Sequence, residues 1–409
     1  MTQSERLPQI IWVASRPPIP PFSGPTSKTL CGIDALASLT DIDLVTFTHR
    51  DLREEIQLKV QEYWKDRPVK LHLIEYGHRA NEIHALLAGR YQFGTMVEVS
   101  ALSAVLDELD WSNSNNLLIL DDIVLAPLAL EYGRNAILSP HDCISKMSYS
   151  HFRFSAPGLQ KMKYYVQYRI ARYYERTFYQ HALLVHLVTQ RDRILMEQIN
   201  PNARYHVIPN AALLNPGFSK EKPDTWDILV WGDIRIGSIA EGVRKFLSLA
   251  TQDRKKWVSL KTAVVGRVPL TEASRILGSD LLSDTEYVDY LEDLHGSVWQ
   301  AKITVVPDGG GAGIKNRCVS VVSSGKCLAC LYPMMDGIEK VCDRGAINAN
   351  SLTELVVKVM RSLGEGTHQK IGEVGQIIFE QEYGLKSVER WWSELIQRAA
   401  AIRSFQRVE

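Results

Sequence analysis

The stretch "VVPDGGGAGIKNRCVSVVSSGKCLACLYP", Val305 to Pro333, decides how this chain is read. An apolar run ends in Pro307-Asp308 and four glycines within five positions, Gly309 to Gly313. The chain then passes through "IKNR" into an apolar segment of helical length and on to a second apolar run, "KCLACLYP". Strand, loop, helix and strand in that order is the repeating unit of a parallel α/β sheet, whose ligands gather where a strand's carboxyl end leads into a helix. Glycines let backbone N–H groups approach an anion closely, and the helix start adds roughly half a positive charge. Lys315 and Arg317 would add full charges beside it. A Walker A loop is ruled out, because Gly325-Lys326 is followed by Cys327 and Ser320 stands where the first glycine belongs. A dinucleotide-binding GxGxxG is ruled out as well, since no third glycine falls in place and the loop comes late in its domain. Taken alone, the loop also fits a permissive surface turn.

Working outward, the same pattern recurs in both directions. Downstream of residue 226 come "WDILVWGDI" as a strand, "GSIAEGVRKFLSLA" as a helix and "KTAVVGRVP" as a strand, ahead of the glycine loop. At the other end, Ile10 to Ala14 reads as a strand, followed by a Pro/Ser/Gly loop and helical periodicity through Leu30, Ile33, Leu36, Ala37 and Leu39. "DIDLVTFTH", "VKLHLIEY" (Val69 to Tyr76), "NLLILDD" (Asn116 to Asp122), "NAILSPHD" (Asn135 to Asp142) and "LLVHLVT" (Leu183 to Thr189) follow as strands. Their continuous apolar character fits a sheet covered on both faces. Residues 210–226 are polar, rich in Pro and Lys, and without periodicity, which marks a linker. The fold class expected is α/β, with an N-terminal Rossmann-like domain over residues 1–210, a linker over 211–226 and a second Rossmann-like domain over 227–385.

The 409 residues carry 47 basic and 47 acidic side chains, so no overall basic excess exists to hold nucleic acid. "DRKK" (Asp253 to Lys256) reads as a solvated surface. The stretch "KMKYYVQYRIARYYERTFYQHA" holds seven aromatic rings, spaced as in a helix that packs broadly on its neighbours; a ligand platform or a nucleic-acid surface is the competing reading. Six cysteines are too sparse for a disulfide framework, and Cys327 and Cys330, though at CxxC spacing, have no second pair to complete a zinc site. No apolar run is long enough to span a bilayer, and the N-terminus lacks a signal peptide's layout. A cytoplasmic protein is expected, with peripheral contact to the inner face of a membrane left open.

The order of these landmarks resembles the retaining, nucleotide-sugar-dependent glycosyltransferases of the GT-B type, group 4. "RPPIPPFSGPTSKTL" is similar to that family's proline-rich first loop, "ILSPHD" (Ile137 to Asp142) to its segment carrying a cleft histidine, and "ALLVHLVTQRDRILMEQINPNARYHVIPNA" to the run entering its linker. "ILVWGDI" and "AVVGRVP" resemble the first strands of its nucleotide domain, "VDYLEDLHGSVWQAKITVVPDGGGAGIKNR" its donor loop, and "YPMMDGIE" the segment after it. The resemblance implies two Rossmann-like domains about a central cleft, with a C-terminal helix over residues 386–409 returning toward the N-terminal domain. It implies a UDP-, GDP- or dTDP-sugar as donor substrate, no cofactor and no metal. The acceptor hydroxyl would belong to a saccharide, a lipid-linked or a small molecule; no nucleic acid partner is implied, and the oligomeric state is not readable.

Residue by residue, the resemblance assigns Arg235, Lys315 and the N–H groups of Gly311 to Ile314 to the leaving diphosphate, where negative charge builds as the anomeric bond lengthens. His141 would line the cleft beneath the sugar, with Asp142 and the Ser23–Gly24 loop on the acceptor side. A buried histidine capping a strand end is the alternative for His141. Gly232, Gly266, Gly310, Gly311, Ala312, Gly313, Ile314, Asn316 and Ser320 would hold the donor. Asp121-Asp122 could face the cleft or cap the next helix. Four positions depart from the family pattern: its two acids fall on Ala312 and Ser320, its second diphosphate-gripping cation near Ile239, and its double glycine on Gly24-Pro25. A serine can hydrogen-bond one ribose hydroxyl but cannot make the charge-assisted pair of a carboxylate. Besides a transferase, the sequence therefore admits a GT-B scaffold without activity, acting as a partner subunit or glycan-binding protein, and an enzyme using another activated donor.

Overall fold

The unbroken apolar runs become parallel strands covered on both faces. The computed structural model describes residues 7–19, 24–76, 91–92, 95–113, 115–140, 142–155, 157–210, 224–289, 298, 300–308 and 312–406. The chain divides into two units: residues 1–148, 166–210 and 385–409 form the first, and residues 149–165 and 211–384 the second.

The first unit contains β1 (Gln9–Ala14), α1 (Gly24–Ala37), β2 (Ile42–His49), α2 (Arg53–Tyr63), β3 (Val69–Tyr76), a small antiparallel hairpin of β4 (Tyr91–Gln92) and β5 (Thr95–Met96), α3 (Val99–Glu108), β6 (Asn116–Asp121) and β7 (Ala136–Leu138). After β7 the chain forms α4 (Ile144–Phe154) and α5 (Leu159–Thr177), then β8 (Leu184–Leu187), α6 (Gln190–Ile199) and β9 (Tyr205–Val207). Its seven-stranded sheet has the order β3-β2-β1-β6-β7-β8-β9, parallel throughout. Ile10, Ile11, Trp12 and Val13 of the central strand are fully buried, as an inner parallel strand requires.

The second unit contains β10 (Trp226–Trp231), α7 (Gly237–Ala250), β11 (Thr262–Val265), β12 (Glu286–Val288), β13 (Ala301–Val306), α8 (Asn316–Ser323), β14 (Cys327–Leu331) and β15 (Ile347–Ala349). Its six-stranded sheet runs β12-β11-β10-β13-β14-β15, again all parallel. Two helices follow, α9 (Leu352–Glu365) and α10 (His368–Tyr383), and then α11 (Leu385–Gln406).

Helix α11 belongs to the first unit. Trp392 lies 5.2 Å from Trp12 and 4.8 Å from His186 between ring centroids, and Arg403 donates to the carbonyl of Asn116 and the side chain of Asn135. Residues 149–165, which the linear division into domains places in the N-terminal one, group with the second unit. The expected linker lies outside the described residues from 211 to 223.

Candidate functional site

In each unit the chain lays strands outward from a central strand, returns, and continues on the other side. The crevice at that switch point, off the carboxyl ends, is where open parallel sheets place their ligands. In the second unit the switch lies between β10 and β13, and the loops leaving those strands are Gly232–Ile236 and Pro307–Lys315. The glycine loop therefore leaves its sheet at the position where a ligand is expected. Gly310 and Gly311 lie outside the described residues. Ala312 and Ile314 are buried, and Gly313 takes a φ of +66°, a left-handed conformation that side-chain-bearing residues avoid.

Lys315 occupies the position just before α8 without a side-chain cap, and its Nζ donates to the carbonyl of Ala312 at 2.7 Å, drawing the loop closed behind it. An ammonium has three donors, so this bond leaves hydrogens for an anion in front of the helix start. Asn316 opens the helix and is half-buried. Ser320, one turn on, is half-buried; its carbonyl accepts from the amide of Ser324 and the hydroxyl of Ser323.

Arg317 does not supply the free charge that its place in the sequence suggests. Its Nη2 donates to both carboxylate oxygens of Asp308 at 3.0 Å, and its Nη1 to the carbonyl of Trp231 at 2.8 Å. Asp308 is 2% exposed. Arg317 thus ties the ends of β10 and β13 together and sets where the glycine loop departs. Helix α7 presses on the same point: a Cβ on Gly242 would come within 2.8 Å of the carbonyl oxygen of Pro307.

Arg235 follows β10 and is exposed, yet its guanidinium is held in a fork by Asp233, Nε to Oδ1 at 2.8 Å and Nη2 to Oδ2 at 2.6 Å. Arg267, which follows β11, reaches the same carboxylate at 3.9 Å from a left-handed backbone with φ of +62°. Burial works to raise the Asp233 carboxyl, but the hydrogen bonds and charge of Arg235, helped by Arg267, hold it below the usual range. Two cations on one anion leave a net positive cluster at the sheet edge, half of which the sequence reading missed. Gly232 sits where a Cβ would come 2.5 Å from Ile239 Cγ2, so Ile239 is a packing residue beneath the strand end. Gly266 is likewise closed off by the Tyr287 hydroxyl, which donates to the carbonyl of Val268.

A histidine that the sequence reading did not single out also belongs to this unit. Burial lowers the pKa of His151 on α4, and the positive charge of Lys315 lowers it further, which places the ring within electrostatic reach of the loop. Only the chain's return through residues 149–165 brings it there, and no local pattern announces that return.

In the first unit the switch lies between β1 and β6 and is filled by a buried polar network. Lys28 on α1 donates to Asp121 Oδ1 at 2.9 Å and to the carbonyls of Ser139 at 2.9 Å and Pro140 at 3.3 Å. Asp121 also accepts from Trp12 Nε1 and Thr29 Oγ1. The side chain of Asp122 accepts from the amide of Val124, capping the short helix after β6, and from Ser15 Oγ. Ser139 Oγ meets Nδ1 of His186, whose Nε2 lies 3.1 Å from the carbonyl of Ile208. Burial, with the charge of Lys28, depresses the pKa of His186 to about 3. Asp142 is half-buried just beyond this network and Gly24 begins α1, while Ser23 and His141 lie outside the described residues. Among the described residues, no three His, Cys, Asp or Glu side chains are grouped so as to hold a metal ion.

No family model matches this chain, and no curated protein matches it by sequence. Solved structures do match its fold. TarM from S. aureus, a mutant in complex with fondaparinux, alpha-GlcNAc-glycerol and UDP, is 9% identical with a TM-score of 0.67, the match covering 95% of this chain and 100% of that one. Sucrose-phosphate synthase from Thermosynechococcus elongatus is 11% identical with a TM-score of 0.66, covering 96% and 99%. An alpha,alpha-trehalose-phosphate synthase (UDP-forming) from Burkholderia xenovorans, in complex with glucose-6-phosphate, is 12% identical with a TM-score of 0.60, covering 96% and 99%. At such identities the likeness is one of fold: two Rossmann-like α/β units, the GT-B architecture.

Proposed function

We propose that this protein transfers a sugar from a nucleotide-sugar donor to an acceptor hydroxyl with retention of anomeric configuration. One observation carries the reading: a glycine-rich loop running into the start of α8 leaves the second unit's sheet at its switch point, with Lys315 and the Arg235–Asp233–Arg267 cluster in the same unit. Such an edge suits a diphosphate. Backbone N–H groups of the loop and the helix start receive the phosphate oxygens. Lys315 and the two arginines meet the charge that grows on the leaving group, so they act more strongly on the transition state than on the bound donor. Fixed cations aimed at a leaving group suffice for this step without a metal ion. The GT-B neighbours support the assignment: HepE from Anabaena, solved with UDP-glucose, has a TM-score of 0.59 to this chain at 10% identity.

The donor base would be uracil, guanine or thymine. The acceptor would be a saccharide, a lipid-linked or a small molecule, met from the cytoplasm or at the inner face of a membrane. No helix among the described residues is long and apolar enough to cross a membrane. His141, Asp142 and the Ser23–Gly24 loop are assigned to the acceptor side, and the Ser320 hydroxyl takes one ribose hydroxyl in place of a carboxylate's two.

Calorimetric titration with UDP, GDP, ADP and dTDP tests this reading, followed by incubation with the matching sugar nucleotide and NMR of the released sugar's anomeric proton. One nucleoside diphosphate should bind in preference to the others, and the released sugar should keep the donor's configuration. Absence of binding to any of the four would leave a scaffold or partner subunit in its place.

A further inference from the structure

The chain's charges balance overall, but those on α5 do not. Its bases are Lys161, Lys163, Arg169, Arg172 and Arg176; its one acid, Glu175, is fully buried, where its Oε1 accepts from the amide of Ser145. Arg169, Arg172, Arg176 and Gln180 follow one another at three- and four-residue steps and, with Tyr173, line one groove of about 510 Å³. Gln180 is shared with a second groove of about 130 Å³, lined also by Arg134, Asn202 and Arg204. Arg134 precedes β7 and Arg204 precedes β9, so the basic strip runs to the amino edge of the first unit's parallel sheet. That edge is opposite the one where the strands present their carboxyl ends, which makes the strip a separate feature from the first unit's switch point. No carboxylate among the described residues lies within ion-pair distance of Arg134, Arg172, Arg176 or Arg204.

We infer that this strip is a binding site for a linear polyanion, a chain carrying repeated phosphate or sulfate groups. Arg172 and Arg176 are about 6 Å apart along the helix axis at 1.5 Å per residue, a spacing that serves successive charges on a chain rather than a single ion. Guanidinium groups bind phosphate and sulfate oxygens in pairs, which suits them to this task better than ammonium groups. Tyr173, 57% exposed, and the amides of Gln180 and Asn202 offer a face and donors for the units that link the charges. A bilayer is the less favoured partner, because neither groove is lined by an exposed aliphatic side chain. Leu159, Met162 and Val166 are nevertheless exposed further up α5, so lipid is included in the test. The inference does not depend on the nucleotide-sugar reading.

The test uses the full chain, medium-chain inorganic polyphosphate and a heparin oligosaccharide, with affinities measured across a salt series. Both should bind. Arg176→Glu combined with Arg204→Glu should weaken binding at least about tenfold and flatten the dependence of log affinity on log salt by about two, one per lost contact. Lys255→Glu, an exposed charge change on the second unit, should alter neither. Arg172→Gln, a gentler change, serves if the double variant melts abnormally, and should weaken binding about threefold or more. Failure of the wild type to bind either polyanion would overturn the inference, as would a double variant that behaves like Lys255→Glu. Sedimentation with phosphatidylglycerol vesicles in the absence of polyphosphate binding would overturn it in favour of a lipid surface.

Discussion

The pair formed by Asp308 and Arg317 gives the sharpest test of how the glycine loop is held. Asp308 is 2% exposed and receives two charge-assisted hydrogen bonds of 3.0 Å from one guanidinium nitrogen, while Arg317 keeps 18% of its side chain in solvent. Removing the cation by Arg317→Met leaves an almost fully buried carboxylate with its main partner gone, an arrangement that costs about 3–5 kcal/mol. Asp308→Leu leaves the guanidinium, which still donates to Trp231 and can recruit water, so its loss should be smaller, about 1–3 kcal/mol. Combining the two replaces both charges with apolar side chains. Because two ions no longer have to be desolvated, the double variant should recover to within about 1–2 kcal/mol of the wild type. Hydrogen exchange of peptides from β13 and α8 reads the second unit separately from the first. Strictly additive losses in the double variant would refute the idea that the pair acts as one buried clamp.

Three further outcomes are expected. Lys315→Ala should weaken the preferred nucleoside diphosphate by about 1–3 kcal/mol in calorimetry, as for a lost hydrogen bond to a charged group; unchanged affinity would remove Lys315 from the site. Ser320→Glu should tighten nucleotide binding if a ribose hydroxyl lies over α8, whereas weaker binding would mean a donor matched to serine. Burial lifts the Glu175 carboxyl to about 7 from its ordinary 4.5, against the hydrogen bonds from Ser145, and its Oε2 has no partner among the described residues. A raised carboxyl is at its most favourable below pH 4.5 and loses that advantage as pH climbs through about 7. Glu175→Gln keeps an acceptor for Ser145 without the ionisation, so in urea unfolding its stability relative to wild type should rise by up to about 3 kcal/mol between pH 4.5 and 8. A difference independent of pH would sink this account, and the opposite titration of His186 cancels in the comparison.

Much of the fold was legible because buried parallel strands advertise themselves. β3 begins and ends at Val69 and Tyr76, and α7 at Gly237 and Ala250, as their residue patterns indicate. Around the candidate site, what reads locally is backbone chemistry: the left-handed turn at Gly313, the helix start after Lys315, and the cap supplied by Asp122. Charges were harder to place, since a side chain's freedom depends on partners that need not be close in sequence. Lys28 meets Asp121 across 93 residues and disappears into the first unit's interior. Arg317 and Asp308 are nine apart, yet whether they pair depends on how the strand end and helix start are set. The Asp233–Arg235 fork, two residues apart, was within reach of a local reading; the arrival of Arg267 at the same carboxylate was not.

The placement of α11 has a bearing on how the chain is made. Residues 385–409 complete the first unit, putting Trp392 on Trp12 and Arg403 on Asn116, while nearly all of the second unit is synthesised in between. During translation, the half that emerges first from the ribosome is therefore the half that finishes last. Its sheet must wait, with the surface meant for Trp392 uncovered, for some two hundred further residues, an interval in which a chaperone could engage it.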